Sequence, residues 1–283
     1  MNKRIISQFG ILITFVFVSN TAIAAPMFSF NYIQQKLISD GFSKQTIQAM
    51  YARPDVKSDF KAISLFFIQQ ESKLNYDQFL SPELIGKARS YLKEHEKELQ
   101  VAENNFQVDP KIITAITLVE THLGTVVGNR KVINTLSSIA SLGDRHVRDQ
   151  LWKSISDSTH YSRKKFAKRC KAKSEWAYDE LKAFLKFAKQ ESFDPIEIKG
   201  SFAGAMGICQ FMPSNALILA KDGNADGKVD LFNHADAIVS IANFLKKYGW
   251  HPSISNQDAY EVLLYYNRSK YYVNTLLKIR ETL

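Results

Sequence analysis

The stretch that decides the fold lies at residues 109–124 and reads DPKIITAITLVETHLG. Asp109 is a residue type that caps a helix N-terminus, and Pro110 is favoured at the first helical position. Gly124 is a typical helix stop. The sequence therefore predicts one largely apolar helix over residues 111–123.

Glu120 shares the apolar face of this helix with Ile113 and Ile116, which precede it at helical spacing. A carboxyl group in apolar surroundings has a raised pKa, because low dielectric penalises its charged form. A glutamate that stays protonated near neutral pH can act as a general acid. The alternative is a structural glutamate that pairs with a lysine or is capped by a backbone group.

A second informative stretch, residues 200–214, reads GSFAGAMGICQFMPS. Its small residues let a backbone approach a ligand closely. Gln210 can donate and accept hydrogen bonds, while Phe202, Phe211 and Met212 offer faces for sugar rings. The alternative is a tight helix-packing loop. The glycines match no dinucleotide or phosphate-loop pattern.

Helical periodicity dominates the rest of the chain. One apolar stripe at helical spacing consists of Ala177, Leu181, Phe184, Leu185 and Ala188. Further helices are predicted over residues 30–40, 44–51, 82–106, 235–248 and 258–266, and short strands near residues 196–198. There is no internal repeat and no long linker, so the expected fold class is mainly α.

The N-terminus has the pattern of an export signal. Lys3 and Arg4 precede an apolar run at residues 11–18, and residues 22–24 offer a small-x-small cleavage site. The alternative is a retained membrane anchor. We expect a signal peptide over residues 1–24 and one mature domain over residues 25–283. Without a cysteine near the cleavage site to carry a lipid, the expected location is the periplasm, in soluble form.

The formal charge of +9 falls to about +7 when Lys3 and Arg4 leave with the signal peptide, which favours anionic partners. Much of the excess lies in a basic run at residues 163–173, which is either a binding surface or a solvated helix face. The export signal and the lack of a recognised motif argue against nucleic acid. Cys170 and Cys209 could pair or remain buried thiols.

Three motifs together closely resemble the lytic murein transglycosylase B family. They are VETxxG at residues 119–124, GSFAGAMGxxQFMPS at residues 200–214 and YNxSxxY at residues 266–272. The resemblance runs in the right order from about residue 30 to residue 272. It implies a largely helical, α+β lysozyme-like core with Glu120 as the catalytic acid/base. It also implies a glycan groove lined by Ser201, Gln210, Phe211, Tyr266, Asn267 and Tyr272, with Tyr76 as a further candidate.

The loop at residues 222–228 reads DGNADGK, which is the first half of an EF-hand calcium loop. Asn233 stands where such a loop normally closes with a bidentate glutamate. The resemblance implies a lengthened, EF-hand-like loop over residues 222–236. Its expected calcium ligands are Asp222, Asn224, Asp226, the Lys228 carbonyl and Asp236. The alternative is an Asp/Gly turn without metal.

Phe244 departs from the family pattern, because members often carry a tyrosine of the groove at this position. We expect a missing sugar contact there.

The resemblance also implies a mechanism that needs neither water nor a cofactor. One glutamate protonates the bond between N-acetylmuramic acid (MurNAc) and N-acetylglucosamine (GlcNAc). It then deprotonates the muramyl 6-hydroxyl, which closes on C1 to give a 1,6-anhydro end. Expected partners are peptidoglycan glycan strands, with other cell-wall enzymes as further candidates. The alternatives are a hydrolytic muramidase, which needs a second carboxylate, and a non-catalytic peptidoglycan-binding scaffold.

Overall fold

The computed structural model describes residues 28–68 and 75–283. The predicted signal peptide at residues 1–24 lies outside the described residues. The described α-helices are α1 (Asn31–Ser39), α2 (Lys44–Tyr51), α3 (Phe60–Ile68), α4 (Pro82–Glu94), α5 (Glu96–Phe106), α6 (Pro110–Thr121), α7 (Val132–Ala140), α8 (Arg145–Ile155), α9 (Arg163–Gln190), α10 (Pro213–Leu219), α11 (His234–Lys247), α12 (Asn256–Tyr266) and α13 (Lys270–Thr282). Single 3₁₀ turns occur at Asp77–Leu80 and Ser141–Gly143, and two strands are β1 (Arg130–Lys131) and β2 (Lys199–Gly200). The mainly helical class is confirmed.

Helix α6 is the centre of the core. Every residue from 112 to 121 is buried, and α4, α5, α11 and α13 all pack against it. At its start Asp109 accepts a hydrogen bond from the backbone N–H of Lys111 at 2.9 Å, as the capping pattern predicts. The helix ends before the predicted residue 123, because His122 and Leu123 adopt left-handed backbone angles.

Helix α9 forms the second layer, and α7, α8 and α10 pack along it. Its buried side includes the predicted apolar stripe. The basic run occupies its first half, where Lys164, Lys165, Lys168 and Lys171 are exposed. Lys173 is instead buried, with Nζ 4.6 Å and 4.8 Å from the ring centres of Phe66 and Trp176.

The other helix predictions vary in accuracy. The prediction for residues 44–51 matches α2. The prediction of a single helix over residues 82–106 is wrong, because His95 leaves the helical region at φ −107° and ψ 28° and separates α4 from α5. Four helices, α3, α7, α8 and α13, were not predicted, although α8 carries Val147, Leu151 and Ile155 at helical spacing on one buried face.

The small sheet lies next to the predicted strand. β1 and β2 pair antiparallel, with Arg130 opposite Gly200. The predicted segment at residues 196–198 stops just before β2, although the Ile198 carbonyl accepts a hydrogen bond from the Val132 N–H at 3.0 Å. This sheet joins the segment after α6 to the start of the glycine-bearing loop.

Both cysteines are buried free thiols. Burial raises the pKa of Cys170 and of Cys209 to about 12, so neither thiol is reactive near neutral pH. Within residues 28–68 and 75–283, no helix has the length and hydropathy needed to cross a bilayer.

Candidate active site

Glu120 lies one residue from the end of α6 and is 5% exposed. Its Oε1 accepts a 2.7 Å hydrogen bond from the hydroxyl of Tyr272, which belongs to the first turn of α13. Tyr272 is itself fully buried. The predicted acid and one predicted groove residue are therefore in direct contact, although 152 positions separate them in the chain.

Burial raises the pKa of the Glu120 carboxyl to about 8, and the hydrogen bond from Tyr272 opposes this shift. No other acid in the described chain contributes to the shift. The carboxyl is therefore mainly protonated at pH 7 and can donate a proton, as the sequence predicts for an acid on an apolar face.

The turn after Glu120 is unusual in its backbone. His122, Leu123 and Gly124 follow one another with φ values of 49°, 61° and 86°. A Cβ at Gly124 would lie 2.8 Å from the His234 ring, so a glycine is required there. Consecutive left-handed residues are costly and are held by surrounding structure, often at functional sites.

Thr121 fastens this turn to the loop at residues 200–214. Its hydroxyl lies 3.0 Å from the carbonyl of Ile208 and accepts a hydrogen bond from the Gly124 N–H at 3.0 Å. The sequence motif includes Thr121, but it was not predicted as a site residue. Its hydroxyl therefore joins the turn after Glu120 to the glycine-bearing loop.

The glycine-bearing loop folds back on itself. Met206 forms isolated bridges with Gly200 and Phe211. A Cβ at Gly200 would lie 2.1 Å from the Ala205 carbonyl oxygen, and one at Gly207 would lie 2.3 Å from that of Leu231. The small residues therefore allow one backbone segment to pack closely on another. A tight helix-packing loop, the alternative interpretation of this stretch, predicts such packing.

Ser201 supports the same fold. Its Oγ accepts hydrogen bonds from the backbone N–H groups of Ala203 at 3.3 Å and Ala205 at 3.1 Å. The hydroxyl hydrogen remains able to donate to a ligand.

Gln210 is 8% exposed and has a left-handed φ of 48°. Its Nε2 donates to the carbonyls of Val127 at 3.2 Å and Gly207 at 2.8 Å. Both partners are acceptors, so the nitrogen must face them. Oε1 is buried and has no partner in the described part of the protein. The amide therefore offers an unused acceptor.

Tyr266 and Asn267 lie together at the end of α12. The Tyr266 hydroxyl donates to the Cys209 carbonyl at 2.6 Å. Asn267 is buried, and its Oδ1 accepts from the Ser269 N–H at 3.0 Å, which leaves the amide nitrogen for other contacts.

Phe211 and Phe244 lie inside the hydrophobic core. Phe211 is 1% exposed, and its ring centre lies 5.6 Å from that of Phe244 and 5.9 Å from that of Tyr266. The expectation that Phe211 offers a face to a sugar is not supported, because neighbouring rings cover it. Phe244 is also fully buried, so the expected loss of a sugar contact there has no basis in this structure.

Tyr76 precedes the 3₁₀ turn at Asp77–Leu80 and is buried beside the site. Its ring stacks on that of Tyr271, with centres 6.4 Å apart and planes at 17°. Tyr271 is 51% exposed and was not predicted. The sequence gives little reason to select Tyr271, because the motif YNxSxxY allows any residue at that position.

Glu180, another residue that the sequence did not single out, holds the far end of the loop. This buried residue of α9 accepts hydrogen bonds from the backbone N–H and the hydroxyl of Ser214, both at 2.8 Å. It thereby positions the start of α10, which begins three residues after Gln210.

Four of the predicted calcium ligands lie side by side in the acidic loop. The Asp222 carboxylate accepts two backbone hydrogen bonds, at 2.7 and 2.8 Å. Asp226 accepts from Asn224 Nδ2 at 3.0 Å and from the Lys228 N–H at 2.9 Å. Hydrogen bonds from these side chains to nearby backbone N–H groups therefore hold the loop in a series of local turns.

Asp236, the fifth predicted ligand, lies in the first turn of α11. Its carboxylate accepts from the N–H groups of Gly223 at 2.8 Å and Asp230 at 2.6 Å. Burial raises its pKa, and the charges of Asp222 and Asp226 raise it further, so the three carboxylates repel one another. Among residues 28–68 and 75–283, no three His, Cys, Asp or Glu side chains are arranged to hold a metal ion.

A cavity of about 530 Å³ is lined in part by the glycine-bearing loop. Val127, Met206, Leu231 and Phe232 are among its lining residues, and Glu120 is not. The hydrogen-bond chemistry around Glu120, rather than cavity size, therefore identifies the candidate site.

Known proteins are similar to this chain in sequence and in fold. The family model described as Transglycosylase SLT domain matches residues 28–257. The chain is 33% identical over 173 residues to membrane-bound lytic murein transglycosylase B of Escherichia coli (strain K12). That match covers 61% of this chain and 40% of the relative, so the chain matches less than half of that protein's length.

Solved structures share the fold. Escherichia coli lytic transglycosylase SLT35 in complex with bulgecin A matches with a TM-score of 0.70 and 21% identity, over 89% of this chain and 91% of that one. Soluble lytic transglycosylase SltB1 from Pseudomonas aeruginosa matches with a TM-score of 0.71 and 20% identity, over 89% and 97%. Because the family model spans most of the chain, this protein belongs to the transglycosylase SLT domain family.

Proposed function

We propose that this protein is a lytic transglycosylase that cleaves the MurNAc–GlcNAc bond of peptidoglycan without water and leaves 1,6-anhydro-MurNAc ends. The observation that carries the proposal is a single buried carboxyl, Glu120, with a pKa of about 8 and a hydrogen bond from Tyr272. A carboxyl with this pKa is protonated often enough to act as an acid and ionises easily enough to act as a base.

The proposed reaction has two proton transfers. Protonated Glu120 gives its proton to the glycosidic oxygen as the bond from C1 of MurNAc breaks. The resulting carboxylate then takes the proton of the muramyl 6-hydroxyl, whose oxygen bonds to C1. The substrate's own acetamido group assists at C1 between these events. Glu120 ends protonated, so atoms and protons balance without water.

Tyr272 has a clear role in this scheme. Its hydroxyl fixes one carboxyl oxygen of Glu120, which leaves the other to face the substrate. It also stabilises the carboxylate that forms after the first transfer, because hydrogen bonds to a charged acceptor are the stronger ones.

Gln210 is the best supported binding residue. Its free Oε1 can accept from an amide N–H or hydroxyl of the glycan, while its nitrogen is held by two carbonyls. We assign supporting contacts to Ser201, Asn267, Tyr266 and Tyr76, and a structural role to Phe211. Pseudomonas aeruginosa SltB3, which shares the fold, was solved in complex with NAG-anhNAM-pentapeptide.

We also propose a structural calcium ion at residues 222–236 and a periplasmic location after removal of residues 1–24. Oxygen donors from Asp222, Asn224, Asp226, Lys228 and Asp236 suit a hard cation. Burial raises the pKa of Asp236, and the charges of Asp222 and Asp226 raise it further, a repulsion that a divalent cation would relieve. SLT35 from Escherichia coli, of the same fold, was also solved in complex with calcium. The ion has no part in the proton transfers.

The decisive experiment incubates the protein of residues 25–283 with purified sacculi and identifies the released muropeptides by mass. Anhydro products from the wild type, and none from Glu120→Gln, are expected. Reducing-end products would instead show a hydrolytic muramidase, and binding without release would show a scaffold. The fully buried position of Phe244 removes the sequence feature that had favoured the scaffold.

A further inference from the structure

The positive charge of the chain is concentrated in one stretch. Residues 145–173 contain ten lysines and arginines and two aspartates, a net charge of +8, whereas the whole chain carries +9. The sequence has no acid between residues 158 and 174. The rest of the chain is therefore close to neutral. Solubility does not require the excess charge to gather in one place, because an even spread serves that purpose equally well.

This stretch forms α8 and the first half of α9. Four exposed lysines of α9 form what we call the lysine face, namely Lys164, Lys165, Lys168 and Lys171. Helical spacing puts them on the side of α9 opposite its buried residues, which include Phe166, Cys170 and Ala177. The lysine face therefore points away from the core, along the outside of a helix.

Cations from two other helices lie beside the lysine face. Lys171 lines a cavity of about 410 Å³ together with Lys36 of α1 and Arg148 of α8, and the acid Glu175 lines it as well. Three helices thus contribute positive charge to the same side of the molecule. A partner that uses all of this charge must be anionic and must extend over several side chains.

The start of the described chain lies next to the same helices. Phe28 lines a second cavity with Val147 and Gln150 of α8. The apolar run of the predicted export signal ends at residue 18, and ten residues of chain reach at most about 35 Å. Phe28, with α8 beside it, therefore lies within that distance of the bilayer while the apolar run occupies it.

A bilayer that contains anionic lipids matches the lysine face in charge and in extent. Such lipids give the membrane surface a negative potential, and each lysine within about a Debye length of the surface adds to the attraction. An array of headgroups can engage all four lysines at once, whereas a single small anion cannot.

We propose that the lysine face binds the anionic phospholipid headgroups of a bilayer and keeps the protein at the membrane surface once residues 1–24 are removed. The inference goes beyond the proposed reaction, because it concerns where the enzyme works, and it rests on the proposed export of the chain. The four lysines take no part in the proton transfers.

The test measures co-sedimentation of the protein of residues 25–283 with lipid vesicles. One set contains equal parts of phosphatidylglycerol and phosphatidylcholine, and the other contains phosphatidylcholine alone. We expect binding to the anionic vesicles only, and high salt should weaken it. The combined variant Lys164→Gln, Lys165→Gln, Lys168→Gln and Lys171→Gln should lower the partition coefficient at least about thirtyfold, since each lysine near an anionic surface contributes about fivefold.

A matched control removes four exposed lysines elsewhere, through Lys93→Gln, Lys97→Gln, Lys111→Gln and Lys247→Gln. The control has the same net charge as the test variant and should bind the anionic vesicles nearly as well as the wild type. Both variants should keep the thermal midpoint of the wild type, because the substituted lysines are exposed.

Two results would overturn the proposal at once, namely a wild type that does not bind anionic vesicles and an equal loss of binding in both variants. The second result would mean that net charge acts without regard to its position. A third comparison uses purified sacculi in place of vesicles. A lysine-face variant that loses binding to sacculi but keeps binding to vesicles would show that this surface faces the cell wall, and the membrane assignment would be wrong.

Discussion

The hydroxyl of Tyr272 donates a 2.7 Å hydrogen bond to Oε1 of Glu120, and both residues are buried. The contact joins the end of α6 to the start of α13, which pack against each other in the core. Two opposing effects thus act on one carboxyl, because burial favours its protonated form and the tyrosine favours its charged form.

Replacing Tyr272 with phenylalanine tests the second effect. Without the donated hydrogen bond, the pKa of Glu120 should rise by about one unit, since a hydrogen bond to a charged group contributes about 1.5 to 3 kcal/mol before relaxation. The alkaline limb of the pH–kcat profile should move to higher pH, and kcat should fall about tenfold or more. A lower kcat with an unmoved limb would show that Tyr272 supports only the fold.

The stability of Glu120→Gln relative to the wild type should increase as the pH rises. The pKa of Glu120 is about 8 in the folded state against an ordinary value of 4.5, so the folded state binds the proton more tightly. The wild type therefore loses stability as the pH rises from about 4.5 to 8, whereas the amide does not titrate.

We compare the free energy of unfolding of Glu120→Gln with that of the wild type at two pH values. The difference in favour of the variant should be about 2 to 4 kcal/mol larger at pH 8.5 than at pH 4.5. Urea unfolding at both pH values measures the difference. A pH-independent difference would contradict the raised pKa.

Gln210→Met tests the free acceptor. The change removes Oε1 and also leaves the carbonyls of Val127 and Gly207 without their donor. We expect about tenfold weaker binding of the disaccharide in the Glu120→Gln background, and a loss of about 1 to 3 kcal/mol in the free energy of unfolding.

Gln210→Glu serves as the companion variant, because it keeps the Oε1 acceptor but puts a second oxygen in place of the donor to both carbonyls. It should lose stability at least as strongly as Gln210→Met. Undiminished ligand binding by Gln210→Met would remove Gln210 from the proposed groove.

Calcium should raise the thermal midpoint of unfolding if the loop at residues 222–236 binds it. Stabilisation follows the ratio of free calcium to Kd, with about 2.7 kcal/mol expected at a hundredfold excess. Differential scanning calorimetry with millimolar calcium, and then with a chelator, measures the shift. The double variant Asp222→Asn and Asp236→Asn should abolish this shift. A wild-type thermal midpoint that does not change with calcium would refute the site.

Local sequence signals were enough for several helices, including α2 and α6, and for placing Glu120 on an apolar helix face. The cap at Asp109, the stop near Gly124 and the apolar face that includes Glu120 all depend on residues a few positions apart. Such signals follow from backbone hydrogen bonding and side-chain spacing, which are local. They failed at His95, which separates α4 from α5, and α7 was missed although Val132, Leu136, Ile139 and Ala140 recur at helical spacing.

The roles of the groove residues required distant contacts. Nothing near Phe211 in the sequence shows that Phe244 and Tyr266 cover its ring, or that Tyr76 stacks on Tyr271. The sequence alone determined a helical fold, a candidate acid on an apolar helix face and its family resemblance, because these depend on composition and short spacing. Tertiary structure decided that Tyr272 reaches Glu120, that Gln210 keeps one free oxygen and that Tyr271 stays exposed. Those facts depend on which helices pack together, and short sequence spacing does not encode that packing.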